Sequence, residues 1–190
     1  MSVKQISIGE YTIRDWREDD AASIAKYANN KKIWINLRDA FPYPYTMEDA
    51  KAFLSKVMRM EPKTYFAIES DHEAIGSIGL MPGYDVHRFT AELGYWLAEP
   101  FWGKGIMTKA TRALSEYAFE ELGLLRIFAQ PYTINAASAR VLEKSGFSLE
   151  GFLRASVFKD GRILDQCVYS KLNKIVLQQN SSTPFSFKPK

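Results

Sequence analysis

Between Glu99 and Ala110 the chain reads Glu-Pro-Phe-Trp-Gly-Lys-Gly-Ile-Met-Thr-Lys-Ala. A strand pattern ends here, two glycines stand one residue apart, and a helix pattern begins at once. No other stretch restricts the fold as much, because it demands a direct strand-to-helix passage with glycine backbone at the bend. Glycine takes positive φ freely and lets a ligand approach the main chain. A helix start adds unpaired N–H groups and the positive end of its dipole. Trp102, Gly103, Lys104, Gly105, Ile106, Met107 and Thr108 therefore form a candidate phosphate cradle, with Lys104 contributing charge. Read alone, the same residues are better explained as a tight structural turn. Two common nucleotide signatures are excluded. A P-loop needs Gly-x-x-x-x-Gly-Lys-Ser/Thr, and a dinucleotide fingerprint needs a third glycine where Thr108 stands.

The elements around this bend read as a mixed α/β (α+β) domain, not a doubly wound one. Alternation over residues 5–15 gives an opening strand or hairpin. Asp19 or Asp20 can cap a helix through about Asn29. After the aromatic, proline-rich stretch WINLRDAFPYPY, Thr46 and Asp49 resemble a capping box for a helix to about Met60, stopped by Pro62. Three apolar runs follow, at 64–70, 74–84 and 89–99, the first two joined by a turn at 71–73. Ile106, Ala110, Ala113, Leu114, Tyr117 and Ala118 recur at helical spacing, so the helix after the bend spans Lys104 to Leu122. A short buried strand at 124–130, a helix from Asn135 to Gly146 and a last hairpin turning at Asp160-Gly161 follow. The resulting order is close to βααββββαβαββ.

The 190 residues are one domain's worth, and 46% hydrophobic with 25% charged residues is ordinary globular composition. No uncharged apolar run approaches a membrane span, and the start lacks a basic segment followed by an apolar core, so neither membrane association nor a signal peptide is expected. Cys167 is the single cysteine, which excludes an internal disulfide and fits a reducing, cytoplasmic setting. Of the net charge of +3, Lys188 and Lys190 supply two, so residues 1–177 carry +1. That is a weak footprint for a nucleic-acid partner. Residues 1–177 are expected to form the domain and 178–190 a flexible basic tail. Monomer and homodimer both remain open.

A second constellation follows the bend by about thirty residues: Asn135-Ala-Ala-Ser138-Ala-Arg-Val-Leu-Glu-Lys-Ser-Gly146-Phe147. Asn135 suits a helix N-cap. Ser138 falls on the first turn, where its hydroxyl either faces a ligand or stays solvated. Glu92 is a lone carboxylate within the apolar run 89–99. A buried carboxylate is a candidate general base, but pairing with a nearby Arg or Lys produces the same isolation.

The strings AELGYWL, FWGKGIMTKA, NAASARVLEKSGF and EGFLR, at their spacing, resemble the GNAT superfamily of acyl-coenzyme A-dependent N-acyltransferases. The likeness is greatest to the RimJ/RimL-type branch, which acetylates α-amino groups of ribosomal proteins, among other substrates. FPYPYTMEDAKAFL resembles that branch's segment between its first two helices, and the likeness runs from about Tyr11 to Leu172. It implies a central, V-shaped, mostly antiparallel mixed sheet flanked by about four helices, with acetyl-coenzyme A in the gap between two splayed strands. The pyrophosphate would rest on the bend Trp102–Met107 and the pantetheine arm beside Tyr95, Trp96 and Leu97, with Asn135 next to it. Glu92 would be the base, directly or through water. Backbone N–H groups near Leu97 would hold the thioester oxygen. Ser138 would assist the departing sulfur, where relatives often carry tyrosine. Pro100 and Lys109 depart from the family's loop, which often opens with Gln or Arg and often carries an acid after the threonine.

The implied acceptor is a primary amine, at a protein or peptide N-terminus. A small amine (polyamine, aminoglycoside or amino-acid derivative) and a non-catalytic acyl-coenzyme A module are the alternatives. Trp34, Phe41, Tyr43 and Tyr45 sit in the loop that lines the acceptor cleft in this fold class; packing as a lid over the core is the other reading. No metal is expected, because His72 and His87 lack partners at ligand spacing. Cys167 is read as a core residue.

Overall fold

A computed structural model of the protein describes residues 5–175 and residue 178. The expected tail, apart from Gln178, lies outside the described residues. Eight strands form one sheet: β1 (Ile6–Ser7), β2 (Thr12–Arg14), β3 (Tyr65–Ser70), β4 (Glu73–Pro82), β5 (Thr90–Leu97), β6 (Arg126–Ala129), β7 (Ser148–Lys159) and β8 (Arg162–Leu172). The helices are α1 (Ala21–Ala28), α2 (Lys31–Trp34), α3 (Met47–Val57), α4 (Ile106–Glu120) and α5 (Ala136–Lys144). The sheet order is β1-β2-β3-β4-β5-β6-β8-β7.

Every neighbouring pair is antiparallel except β5 and β6. Those two run parallel because α4 carries the chain back across the sheet between them. Their pairing stops after Thr90↔Arg126, Ala91↔Ile127 and Glu92↔Phe128, although β5 continues to Leu97 against β4. From Leu93 onward the two strands therefore part, as the V-shaped sheet requires.

The two faces of the sheet are covered by different helices. Ile106, Ala110, Leu114 and Ala118 recur every four residues on α4 and enter one core with Ile78, Leu80, Ile127, Leu142 and Phe147. Ile24 and Ala28 of α1 meet Ala50, Leu54 and Val57 of α3 in a second core with Trp16. The capping box that starts α3 is present: Asp49 N–H donates to Thr46 Oγ1 at 3.2 Å, and Thr46 N–H donates to Asp49 Oδ2 at 2.8 Å.

Four expectations need correction. Three strands, not four, stand between α3 and α4, while the opening segment takes the hairpin form of its two expected alternatives. The aromatic stretch contains a short helix, α2, started by Asn30 Oδ1 accepting from Lys32 N–H at 2.8 Å; this brings the described helices to five. Asp20 occupies the N-cap position of α1 but makes no side-chain cap. Its carboxylate instead accepts from the buried Arg14 guanidinium at 2.7 and 2.8 Å, a stronger, charge-assisted partner. Helix α3 ends at Val57, before Pro62 can stop it.

The last hairpin turns at Asp160 and Gly161, both at positive φ (48° and 74°), the backbone that a two-residue hairpin needs. It is tied to β6 by Arg126, which donates to Glu150 Oε1 at 2.6 Å. That contact, with Ser170, holds the Glu150 carboxyl down at about 2 against an ordinary 4.5. A folded-state value below the unfolded one stabilises the fold above pH 4.5, and that contribution is lost as the pH falls toward 2. Glu150→Gln is therefore expected to shrink the loss of melting temperature between pH 5 and 2, read by thermal scans. The effect is small because Glu150 is 40% exposed.

Candidate active site

The gap between the diverging strands is a cavity of about 1200 Å³. Main-chain groups alternate sides along a strand. Ala98 N–H donates to Ile75 O of β4, so Trp96 and Gly94 also face β4. Leu93, Tyr95 and Leu97 face the opposite way, toward the gap that β6 does not reach. The cavity runs along this edge and continues to the bend, where Gly103, Gly105, Ile106, Met107 and Thr108 line it with Trp102.

Gly103 and Gly105 take φ of +78° and +74°. A Cβ built on either would meet nothing within 4 Å. The bend is thus open beside its glycines, and Ile106, Met107 and Thr108, whose N–H groups belong to the unpaired first turn of α4, line the same cavity. Such a cradle fits a phosphate group, whose oxygens accept from main-chain N–H. Trp102 props the bend by donating its indole N–H to Leu97 O at 2.6 Å. Lys104 is not among the lining residues; its ammonium lies 5.1 Å from the Phe101 ring centre, on the exposed side of the bend. Two basic residues that no motif marks, Arg140 and Lys144 of α5, do line the cavity. Their i, i+4 spacing along α5, which puts both on one face of the helix, was the available signal.

Asn135 begins α5 with its side-chain oxygen accepting from Ser138 N–H at 3.0 Å. Ser138 Oγ lies 2.8 Å from the Tyr95 hydroxyl, so β5 and α5 meet across the cleft through two hydroxyls. Burial pushes the Tyr95 phenol up to about 12, and it stays protonated at neutral pH. Asn135→Ala removes the cap and is expected to cost about 1 kcal/mol of stability, a few degrees of melting temperature. The same variant loosens Ser138.

Glu92 lies in the cleft, 18% exposed on its side chain. It is not isolated. Arg38, from the loop after α2, donates one Nη to both carboxylate oxygens, at 2.6 and 2.8 Å. The two residues are far apart in sequence, and no local pattern marked Arg38. Burial and the Glu92 charge push the nearby Tyr65 phenol up, with Arg38 opposing.

The acceptor-loop aromatics divide. Phe41 lines the cavity with Tyr45 and packs 6.1 Å from Trp96, edge to face. Trp34 and Tyr43 do not line it; their rings stack on each other 5.7 Å apart. Cys167 is buried in β8. Among the described residues, no group of three or more His, Cys, Asp or Glu can hold a metal, and no helix is long and apolar enough to cross a membrane.

Comparison with known proteins gives this geometry its setting. The probable N-acetyltransferase YjcK of Bacillus subtilis is 37% identical over 134 residues, 68% of this chain and 74% of the relative. Spermidine N(1)-acetyltransferase of Escherichia coli is 26% identical over 151 residues, 79% of each chain. The crystal structure of ribosomal-protein-S5-alanine acetyltransferase from Vibrio fischeri matches with a TM-score of 0.79 at 26% identity, covering 90% of this chain and 97% of the other. Residues 11–148 match the family described as the acetyltransferase (GNAT) domain. A match over that span makes the chain a member of the GNAT family, an acetyl-coenzyme A-dependent N-acetyltransferase.

Proposed function

We propose that the protein acetylates the α-amine of a peptide or protein N-terminus, with Glu92 as the general base. The observation that carries this reading is the charge of the cleft wall. Glu92 is the single carboxylate among the described lining residues, it is already paired with Arg38, and the rest of the wall beside it is largely apolar, from Ile33, Ile35, Leu37, Phe41 and Met81. A polyamine brings two or more ammonium groups and needs a carboxylate for each when it leaves water. An N-terminal α-amine brings one. With an ordinary value of about 7.7–8.0, it is also partly neutral at physiological pH, so one weak base suffices. The likeness to the S5-alanine acetyltransferase supports the same acceptor class.

Acetyl-coenzyme A, when bound, supplies the acetyl group as an activated thioester. The open main chain of Gly103 and Gly105 and the start of α4 would hold its pyrophosphate, with Arg140 and Lys144 on the same wall. The gap-facing main-chain N–H and C=O of Tyr95 would pair with its amide-bearing arm as a neighbouring strand would, since Leu97 O already accepts from Trp102. Leu97 N–H would also donate to the acyl oxygen, where charge develops. Glu92, a carboxylate in its ion pair with Arg38, takes the proton from the incoming amine directly or through one water. Ser138, backed by the protonated Tyr95 hydroxyl, donates to the departing sulfur. Holding amine and acyl group together supplies a further part of the rate.

The test is thiol release from acetyl-coenzyme A with a panel of acceptors. Heptapeptides beginning with Ala, Ser or Met are expected to turn over, and the same peptides with blocked N-termini are not. Spermidine is expected to be at least about tenfold poorer by kcat/KM. A preference for spermidine or an aminoglycoside overturns the acceptor assignment. Cofactor binding without turnover of any amine selects the non-catalytic module.

A further inference from the structure

Strand β7 forms one edge of the sheet, and its side chains are almost all exposed or half-exposed. Lys159, at its end, is the exception: it is 1% exposed. Its ammonium lies 3.8 Å from the centre of the Trp34 ring and donates to Asp39 Oδ1 at 2.7 Å. Beside it, Lys31 approaches Asp160 at 3.7 Å. The tip of the last hairpin is thereby fastened to α2 and the loop that follows it. The two fastened parts are opposite walls of one cleft: Ser156 and Val157 line it from β7, and Leu37, Arg38 and Phe41 line it from the loop.

A buried ammonium is unfavourable unless a carboxylate and a ring face replace its water. An apolar side chain would anchor the hairpin with no such demand. What lysine adds is direction, because it fixes one carboxylate, that of Asp39. The residue before Asp39 is Arg38, which reaches the other way to hold Glu92 at 2.6 and 2.8 Å. One dipeptide is therefore pinned from both sides, by the sheet edge and by the central strand. This also accounts for Trp34 and Tyr43, which stand outside the cavity: Trp34 is the seat of the lysine, and Tyr43 stacks on it.

We propose that Lys159 is a positioning residue for the acceptor half of the site. Through Asp39 it sets the main chain at 38–39 and so keeps Arg38 on Glu92. The effect on turnover rests on Glu92 serving as the base; the effect on the loop does not. Neither Lys159 nor Asp39 lines the cleft or touches the glycine bend, so the cofactor end is left alone.

The experiment uses the full chain, acetyl-coenzyme A and a heptapeptide beginning with alanine. Lys159→Met is expected to lower kcat/KM for the peptide about tenfold, with KM for acetyl-coenzyme A within about twofold. Lys159→Arg, which keeps the charge and the ring contact, restores at least half. In an Arg38→Ala background the further change caused by Lys159→Met falls below about twofold, because the link it acts through is gone. Hydrogen exchange of the amides at 35–41 is expected to accelerate in Lys159→Met while that of α4 does not. The proposal is overturned by unchanged exchange at 35–41, by equal acceleration in α4, or by the same tenfold loss in both backgrounds. Glu92→Gln run alongside separates the two readings. Wild-type turnover in that variant, or no turnover of any peptide by the parent protein, rejects the proposed function, while the exchange data still judge the strap by themselves.

Discussion

Glu92→Gln is expected to lower kcat by about 10²–10⁴-fold at pH 7, with acetyl-coenzyme A binding within about twofold of the parent. Glutamine matches glutamate in shape, and its amide oxygen still accepts from Arg38, so the loop and cleft stay in place. What is lost is the ability to take a proton from the amine. Activity does not vanish, because the cleft still brings amine and acyl group together. The loss is expected to ease at high pH, where a larger share of an α-amine with an ordinary value of about 7.7–8.0 is already neutral. Steady-state kinetics from pH 6 to 9 reads both features. Full kcat across that range would remove Glu92 from the chemistry and leave it as the structural partner of Arg38.

Gly105→Val, or Gly103→Val, is expected to weaken acetyl-coenzyme A binding by at least about a hundredfold while the fold survives. Both residues hold φ near +75°, and a β-branched side chain there costs about 1–3 kcal/mol of backbone strain. Relief of that strain moves the N–H groups out of their cradle. A Cβ at either place collides with nothing, since beyond the adjoining residues no atom lies within 4 Å of it. Its added carbons would instead fill the opening in front of the main chain. A calorimetric titration of each variant checks the loss, and a melting curve checks that the fold remains. Parent-like binding by both variants would mean that the bend is a tight turn and nothing more.

How much of this was legible in the sequence depends on distance along the chain. The bend could be read because its parts are contiguous: a strand end, two glycines and a helix start. The Thr46–Asp49 box and the Asp160-Gly161 turn were readable for the same reason. Asp20 stands where a helix cap would stand, and only the fold brings Arg14 from β2 to claim its carboxylate. Helix α2 was hidden because its four residues are too few to show a period. The pairing of Glu92 with Arg38 joins residues 54 apart, and that of Lys159 with Asp39 joins residues 120 apart. No spacing rule reaches that far, and Arg38 and Asp39 lie in a loop without periodicity. The aromatic character of Trp34 and Tyr43 says that a ring is wanted but not whether it faces an acceptor or a buried lysine.

The claim on which everything else depends is that the parted strands and the glycine bend form one cleft for a phosphate-bearing thioester. Calorimetric titration of the unmodified protein with acetyl-coenzyme A tests it most directly. A saturating heat at one cofactor per chain is expected, with a dissociation constant in the range of about 1 μM to 1 mM usual for enzyme substrates. No heat at millimolar cofactor, under conditions where the protein is folded, would contradict it.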